Sequence, residues 1–155
     1  MSRWTDPGEW ARLRTPAGCP ICIAGQPTSA IAELESSWVV MGEANPPLPG
    51  TCALFLKRHA IELHDLTAEE GATWMRDIQH LSRVLAAASG ATKMNYEVHG
   101  NTIPHLHMHF FPRYAGDPFE NQPINPRVEG APSGFERHAE IRQRVIAAFT
   151  SEAAT

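Results

Sequence analysis

Three histidines alternate with apolar residues in the segment His105-Leu106-His107-Met108-His109. Successive side chains of a β-strand point to opposite faces, so a strand here would place the three imidazoles on one face and the apolar side chains on the other. Neighbouring imidazoles would be spaced by roughly 6.7 Å, and the outer pair by roughly 13 Å. All three cannot bind one zinc ion over that span, because Zn–N bonds are roughly 2.0–2.1 Å long.

Separate roles for the three imidazoles fit this spacing better than a shared one. His107, in the middle, can act as a nucleophile when a hydrogen bond to its other ring nitrogen fixes the tautomer. A neighbouring imidazole can bind a phosphate oxygen or transfer a proton. A solvated histidine cluster without chemistry is the alternative, and the strict alternation with large apolar residues makes it the weaker interpretation.

The residues around this segment resemble the signature of the histidine-triad (HIT) family, His-φ-His-φ-His-φ-φ, in which φ is hydrophobic. The Pro112-Arg113-Tyr114 that follows is also typical of that family. Upstream, Pro49-Gly50 before an apolar run and Lys57-Arg58-His59 after it resemble further family elements. The resemblance covers roughly residues 17–120, and the triad is its specific part, since each of the other matches alone would be weak.

Membership of this family would imply an α+β fold, with an antiparallel sheet of about five strands packed with one long helix and a C-terminal helix. It would imply a single domain over residues 1–155, with its core at about 17–120 and helical extensions at both ends. Subunits of this family usually form homodimers and act on nucleoside phosphates. The chain is similar to bacterial HIT hydrolases and to diadenosine polyphosphate hydrolases.

The resemblance also implies roles for individual residues. The middle histidine of the family forms a covalent nucleotidyl intermediate and the third contacts phosphate, which gives these roles to His107 and His109, with His105 as the remaining candidate catalytic residue. The candidate substrate-binding residues are Asn101 and Thr102 before the motif, Asn95 on the preceding strand, and Glu43 and Asn45 in a loop that would hold the ribose. The chain departs from many members where it has Asn101 for a glutamine and Gly50-Thr51 for Gly-His, and its loop before the motif is shorter than in several branches of the family.

A metal site is a further hypothesis. Cys19 and Cys22 have the Cys-x-x-Cys spacing of half a zinc site, although redox chemistry and plain packing of two thiols give the same pattern. Metal-bearing relatives complete such a site with a histidine after the central strand and the first triad histidine, here His59 and His105. The resemblance therefore predicts a structural Cys₂His₂ zinc site. The two histidines that could replace a ligand are His64 and His99.

Composition limits the class of ligand and the compartment. The chain has 13 Lys and Arg against 17 Asp and Glu, a net charge of −4. That balance argues against non-specific binding to long nucleic acid, which depends on many cationic contacts to phosphate, but it allows a mononucleotide, for which a purine is expected. With three cysteines, no signal-like segment at residues 1–14 and no long apolar run, the sequence predicts a cytoplasmic protein without a membrane partner.

Turn residues and apolar spacing predict the remaining elements. Asp6-Pro7 is typical of a helix start, and Thr67 to Glu70 form a capping box that begins a long helix ending at Gly90. The predicted strands are 31–34, 38–41, 51–57, 93–98 and 105–111. An irregular proline-rich segment is predicted at 115–134 and a last helix at 136–149. Strands in adjacent pairs favour an antiparallel α+β arrangement.

Three functions are compatible with these residues. The first is hydrolysis of dinucleoside polyphosphates or nucleoside phosphoramidates at the α-phosphorus. The second is a nucleotidyltransferase or phosphorylase that uses the same intermediate with phosphate or a sugar phosphate as acceptor. The third is a nucleotide-binding regulatory protein with little turnover, against which the retained His107 argues.

Overall fold

The computed structural model describes residues 3–125 and 128–153 of the chain. This part contains four helices, α1 (Pro7–Leu13), α2 (Pro20–Ala24), α3 (Ala68–Ser89) and α4 (Pro132–Ala153), with short 3-10 turns at Arg3–Thr5 and Leu63–Asp65. It also contains five strands, β1 (Ala30–Glu33), β2 (Ser37–Val40), β3 (Cys52–Leu56), β4 (Lys93–Val98) and β5 (His107–Arg113). What the sequence predicts for residues 1–2, 126–127 and 154–155 lies outside the described residues.

The five strands form one antiparallel sheet in the order β1-β2-β3-β5-β4. Strand β5 lies between β3 and β4, so that His107 is paired with Phe55, and His109 with Ala53 on one side and Glu97 on the other. Directly paired residues project from the same face of a sheet. One face therefore collects the histidines of β5 together with side chains of both neighbouring strands. The predicted α+β class is confirmed.

The long helix α3 covers the opposite face of the sheet. Its N-terminus has the predicted capping box, in which the Thr67 hydroxyl accepts from the Glu70 N–H and the Glu70 carboxylate accepts from the Thr67 N–H. It ends at Gly90, whose φ of 63° suits a residue without a Cβ. The buried apolar side chains of the helix share a core with Leu54 and Phe110, and they are Trp74, Ile78, Leu81, Leu85 and Ala88.

Two predicted elements begin more than one residue from their observed start, and both also end later than predicted, at Ala153 and Arg113. The last helix begins at Pro132 rather than at residue 136, because proline fits the first helical position, where no backbone N–H is needed. Strand β5 begins at His107 rather than at residue 105. Just before it, the Leu106 N–H donates to the Ala60 carbonyl at 2.7 Å and the Leu106 carbonyl accepts from Leu56 at 3.1 Å. The bond to Leu56 continues the pairing with β3, whereas the bond to Ala60 departs from it, so His105 lies outside the ladder of the strand.

Helix α4 packs against the core on the same face of the sheet as α3. Its buried residues Ile141, Val145 and Phe149 belong to the same cluster as the α3 stripe. A smaller cluster, made of Leu48, Phe111, Phe119 and Ile124, packs beneath the irregular segment that joins β5 to α4. Among the described residues, none of the helices is both long and apolar enough to cross a bilayer.

Candidate active site and metal group

His107 is buried and held in one orientation at the start of β5. Its Nδ1–H donates to the His105 carbonyl at 2.6 Å, because a carbonyl oxygen can only accept. The Phe55 ring stacks on it, with centroids 4.5 Å apart and planes within 4°. Nε2 is therefore the nitrogen with an available lone pair. Burial lowers the pKa of His107, which favours the neutral, nucleophilic ring, while the bond to His105 acts in the opposite direction.

His109 lies one pair further along the same face. Its ring meets that of His107 edge to face, with centroids 4.9 Å apart. Burial, followed by the charges of His107 and His99, lowers the pKa of His109 to about 4. The ring is therefore neutral at pH 7 and can accept or donate one hydrogen bond at each nitrogen.

His105 is separated from the other two triad histidines. Its ring is fully buried and faces Cys19 and Cys22, and it does not lie on the strand face with His107 and His109 as the sequence predicts. That expectation is wrong because the Leu106 N–H bonds to the Ala60 carbonyl, while the Leu56 carbonyl accepts from the His105 ring instead. His105 contributes to the nucleophile through its backbone carbonyl, and its side chain belongs to a different cluster.

A cavity of about 540 Å³ opens in front of His107 and His109. The residues that line it are Phe55, Glu97, His99, Gly100, Asn101, Thr102, Ile103, His107, His109, Pro123, Ile124 and Asn125. Apolar side chains and amides dominate this wall, and none of the described lining residues is a lysine or an arginine. The size suits a nucleotide-sized ligand, and any anion would be held by imidazoles, amides and backbone N–H groups.

The predicted substrate-binding residues fall into three places. Asn101 and Thr102 line the cavity in the loop that begins at Gly100, whose φ is 75°. Asn95 accepts a hydrogen bond from Arg113 at 3.3 Å and is absent from the described lining.

Glu43 and Asn45 lie elsewhere, next to the beginning of α4. Glu43 lines a separate cavity with His138 and Arg142. The Asn45 amide donates to the carbonyls of Gly130 and Ala131 at 2.9 and 3.0 Å. The structure brings neither residue into the described wall of the His107 cavity, so their binding of ribose stays a prediction.

Sequence reasoning missed several lining residues, of which Phe55, Glu97 and His99 lie next to the triad histidines. A signal for the first two exists in the strand register, since both are directly paired with a triad histidine. Single-sequence patterns do not give that register, because it depends on which strands become neighbours.

The second cluster brings together Cys19, Cys22, His59 and His105, whose potential ligand atoms all lie within 4.8 Å of one another. The Nδ1 atom of His105 is 3.4 Å from Cys19 Sγ and 3.7 Å from Cys22 Sγ. His59 Nδ1 is 3.3 Å from Cys22 Sγ. A tetrahedral zinc ion with ordinary bond lengths separates its sulfur and nitrogen ligands by roughly 3.5 Å, so the group has the dimensions of a Cys₂His₂ site.

The second nitrogens of both histidines support the same arrangement. His105 Nε2–H donates to the Leu56 carbonyl at 2.6 Å, and His59 Nε2–H donates to the Arg14 carbonyl at 2.9 Å. Each bond fixes the tautomer in which Nδ1 carries no proton and its lone pair is directed at the sulfurs, as in many metal sites. Burial and the neighbouring Cys19 raise the pKa of Cys22 to about 11, and a bound cation would instead stabilise the thiolate.

The HIT domain family model matches residues 25–116, more than half of the chain. The chain belongs to the histidine-triad family. Over 89 residues it is 28% identical to the asymmetrical bis(5′-nucleosyl)-tetraphosphatase of Schizosaccharomyces pombe. This match covers 54% of the chain and 49% of that protein, so the chain spans about half the length of this curated relative.

Solved structures share the HIT fold. A histidine triad protein from Sinorhizobium meliloti is 25% identical, with a TM-score of 0.63 over 76% of this chain and 87% of that one. A Zn-bound histidine triad family protein from Mycobacterium smegmatis is 22% identical, with a TM-score of 0.62 over 88% of this chain and 99% of that one. The resemblance that the triad motif suggests is therefore confirmed for family and fold.

Proposed function

We propose that this HIT protein hydrolyses small nucleotides at the α-phosphorus through a covalent intermediate on His107. The observation that carries the proposal is the fixed imidazole at the wall of the cavity. Its Nδ1–H is bound to the His105 carbonyl and its face is stacked on Phe55, which leaves Nε2 as a nucleophile. The relative from S. pombe is a nucleosyl tetraphosphatase by name, which supports the same class of reaction.

The reaction divides into two displacements at phosphorus. In the first, the Nε2 lone pair of His107 forms a P–N bond, and the bond from the α-phosphorus to the leaving group breaks with its electron pair on that group. The imidazolium that forms is stabilised by the Nδ1–H bond to the His105 carbonyl. In the second, a water oxygen attacks the phosphorus, the P–N electrons return to Nε2, and the water protons remain with the released monophosphate and solvent.

A purine mononucleotide or dinucleotide is the proposed substrate, and long nucleic acid is not. The wall of the cavity has apolar surface at Phe55, Ile103 and Ile124 for a nucleoside, and an amide at Asn101 and a hydroxyl at Thr102 in the same wall as the histidines. The described lining residues include no lysine or arginine, so the wall has no row of cationic side chains that could bind many phosphates. His109, beside the nucleophile, is the proposed ligand of the α-phosphate oxygens.

Substitution of His107 tests the mechanism. In His107→Ala we expect turnover of diadenosine tetraphosphate and of adenosine 5′-phosphoramidate to fall at least about a thousandfold, because the attacking nitrogen is gone, while the affinity for AMP stays within about threefold. Intact-protein mass spectrometry after rapid alkaline denaturation should detect an added AMP on the wild type and none on the variant. Near-wild-type turnover in His107→Ala would contradict the mechanism.

His64→Ala is a matched control, since the His64 side chain is 84% exposed and lies outside the lining of the cavity. This variant should retain the wild-type turnover and should form the AMP adduct. Running the same reactions in phosphate buffer separates the hydrolase from the phosphorylase alternative. Release of AMP without ADP, beside the leaving group (ATP or ammonia), supports hydrolysis, and ADP formed from added phosphate supports transfer.

We also propose that the Cys₂His₂ group holds one structural zinc ion. The spacing of its ligand atoms and the fixed tautomers of His59 and His105 support this, and the structural relative from M. smegmatis is described as Zn-bound. Zinc there would fix local structure and supply no step of the reaction, because four protein ligands leave no open position. A reducing cytoplasm would keep Cys19 and Cys22 available as thiolate ligands.

A homodimer and a single domain over residues 1–155 complete the proposal. Strand β4 is an outer strand of the sheet, and its Tyr96 and Val98 are 45% and 39% exposed, which gives a second copy an edge to pair with. The packing of α4 into the same core as α3 supports one domain that extends beyond the matched residues 25–116.

A further inference from the structure

A fourth imidazole, outside the triad, faces the reaction cavity. His99 lies just after β4, and its ring is 5.8 Å from the ring of His109, which is in turn 4.9 Å from that of His107. The three rings thus follow one another along the cavity in the order His107, His109, His99. All three line its wall.

Glu97 holds His99 in this position. Its carboxylate is 2.7 Å from His99 Nε2, and because a carboxylate accepts only, that nitrogen carries the proton. Nδ1 is then the atom left for a ligand, and it donates to a phosphate oxygen in the imidazolium form, because in the neutral ring this nitrogen only accepts. The same bond pairs the acidic group of the described lining, Glu97, with His99, and the backbone of Glu97 is itself fixed by its pairing with His109 across the strands.

The composition of the cavity wall makes the His99 imidazole important for binding an anionic substrate. Of the described residues that line the cavity, only the histidines can carry a positive charge. His107 is committed to the nucleophilic role, and the ring of His109 is largely enclosed. The His99 side chain is 45% exposed, at the open side of the cavity, where a longer substrate would extend.

The direction of the reaction identifies what His99 would meet. In a displacement at phosphorus the nucleophile and the leaving group lie roughly in line, on opposite sides of the phosphorus. With His107 attacking and His109 beside the α-phosphate, the leaving group points away from His107, and His99 is the histidine of the row that follows His109 on the side away from His107. In a polyphosphate substrate that group begins with the second phosphate.

We infer that His99, oriented by Glu97, binds the second phosphate of the substrate and so favours polyphosphates over substrates whose leaving group is a small amine. The inference rests on the proposed function for the position of the α-phosphate. It concerns binding, and it can therefore be tested without turnover.

Calorimetric titration of AMP and ADP into the wild type, His99→Ala and His99→Gln is the primary experiment. We expect ADP to bind the wild type more tightly than AMP. Both variants should lose about tenfold in affinity for ADP and less than about threefold for AMP, since one charge-assisted hydrogen bond is lost. His64→Ala should match the wild type. Equal losses for the two nucleotides, an unchanged affinity for ADP, or no binding of ADP to the wild type would overturn the inference.

Kinetics give the second readout. In His99→Ala, kcat/KM for diadenosine tetraphosphate should fall roughly 10- to 100-fold, and that for adenosine 5′-phosphoramidate less than about threefold. A purely structural defect would lower both equally. If the wild type bound ADP as expected but formed no adduct on His107, the covalent mechanism would fail while the role of His99 in binding would stand.

Discussion

At the residue scale, the chemistry of the site depends on how far each imidazole is removed from water. Burial is the main cause of the lowered pKa of both His107 and His109, and in each case it favours the neutral ring. A neutral nucleophile is thus maintained without a separate base. This arrangement lowers the stability of the fold at acidic pH, because the histidines bind protons more readily in the unfolded chain than in the folded one.

His109 should make the stability of the protein sensitive to acid. Its pKa is about 4 when folded and about 6.5 when unfolded, so the unfolded state binds more protons between these values. The free energy of unfolding should therefore be fully present above pH 6.5 and fall as the pH drops towards 4, by at most ~1.4 kcal/mol per pH unit for this group. Urea titrations at pH 7, 6, 5 and 4 should give a shallower decline for His109→Gln.

His64→Gln is the control for that series, because its exposed ring should leave the pH dependence of the wild type unchanged. Parallel declines for the wild type and His109→Gln would show that His109 does not cause the acid sensitivity.

The sequence predicts the identity of the residues at this site better than their surroundings. Alternation along one strand was enough to single out His107 and His109, since it is a local property. The turn of His105 towards Cys19 and Cys22 was not predictable from that pattern, because it depends on hydrogen bonds of Leu106 to two residues about 50 positions away. His99 has no motif, and only the pairing of β4 with β5 brings it to the cavity.

At the element scale, α4 is tied to the loop before β3 by one buried histidine. His138 is 2% exposed; its Nε2–H donates to the Gly42 carbonyl at 2.8 Å, and its Nδ1 accepts from the Gly50 N–H at 3.0 Å. Burial lowers the pKa of His138, and the bond from Gly50 requires the neutral ring. The loop and the helix are thus held by a pair of bonds that only a neutral imidazole can make.

His138→Ala should destabilise the fold by roughly 2–4 kcal/mol, since it leaves two buried backbone groups unpaired and opens a cavity. Chemical denaturation measures the change. Glu140→Ala, at an exposed position of the same helix, should change stability by less than about 0.5 kcal/mol. A loss for His138→Ala no larger than that control would mean that the helix is held by its apolar residues alone.

The elements themselves were predictable where the signal is local. The capping box and Gly90 gave α3 its ends, and the alternation gave β4 its observed limits, Lys93–Val98. The start of α4 at Pro132 was missed because the prolines around it are equally typical of irregular structure. The contact of α4 with the loop at Gly42 and Gly50 joins positions about 90 residues apart, and no local pattern encodes it.

At the scale of the whole molecule, the Cys₂His₂ group joins three separate parts of the chain. Cys19 and Cys22 lie at α2, His59 follows β3, and His105 precedes β5. Because the His105 carbonyl also accepts the Nδ1–H of His107, the group fixes the backbone on which the nucleophile depends. An ion at this group would therefore influence both the stability of the fold and the orientation of the catalytic ring.

Removal of the metal should test this connection. Protein purified without chelator should contain about one zinc per chain by elemental analysis, and Cys52→Ala, which changes a cysteine outside the group, should retain it. Zinc at a hundredfold excess over its dissociation constant stabilises by about 2.7 kcal/mol, which corresponds to a fall in Tm on the order of 5–10 °C when a chelator removes it. Cys22→Ser should show the lowered Tm without chelator and a reduced rate of adduct formation at His107. Zinc near zero in the purified wild type, with a Tm that chelator does not change, would instead leave Cys19 and Cys22 as packed thiols whose contacts with His59 and His105 hold the fold without a metal.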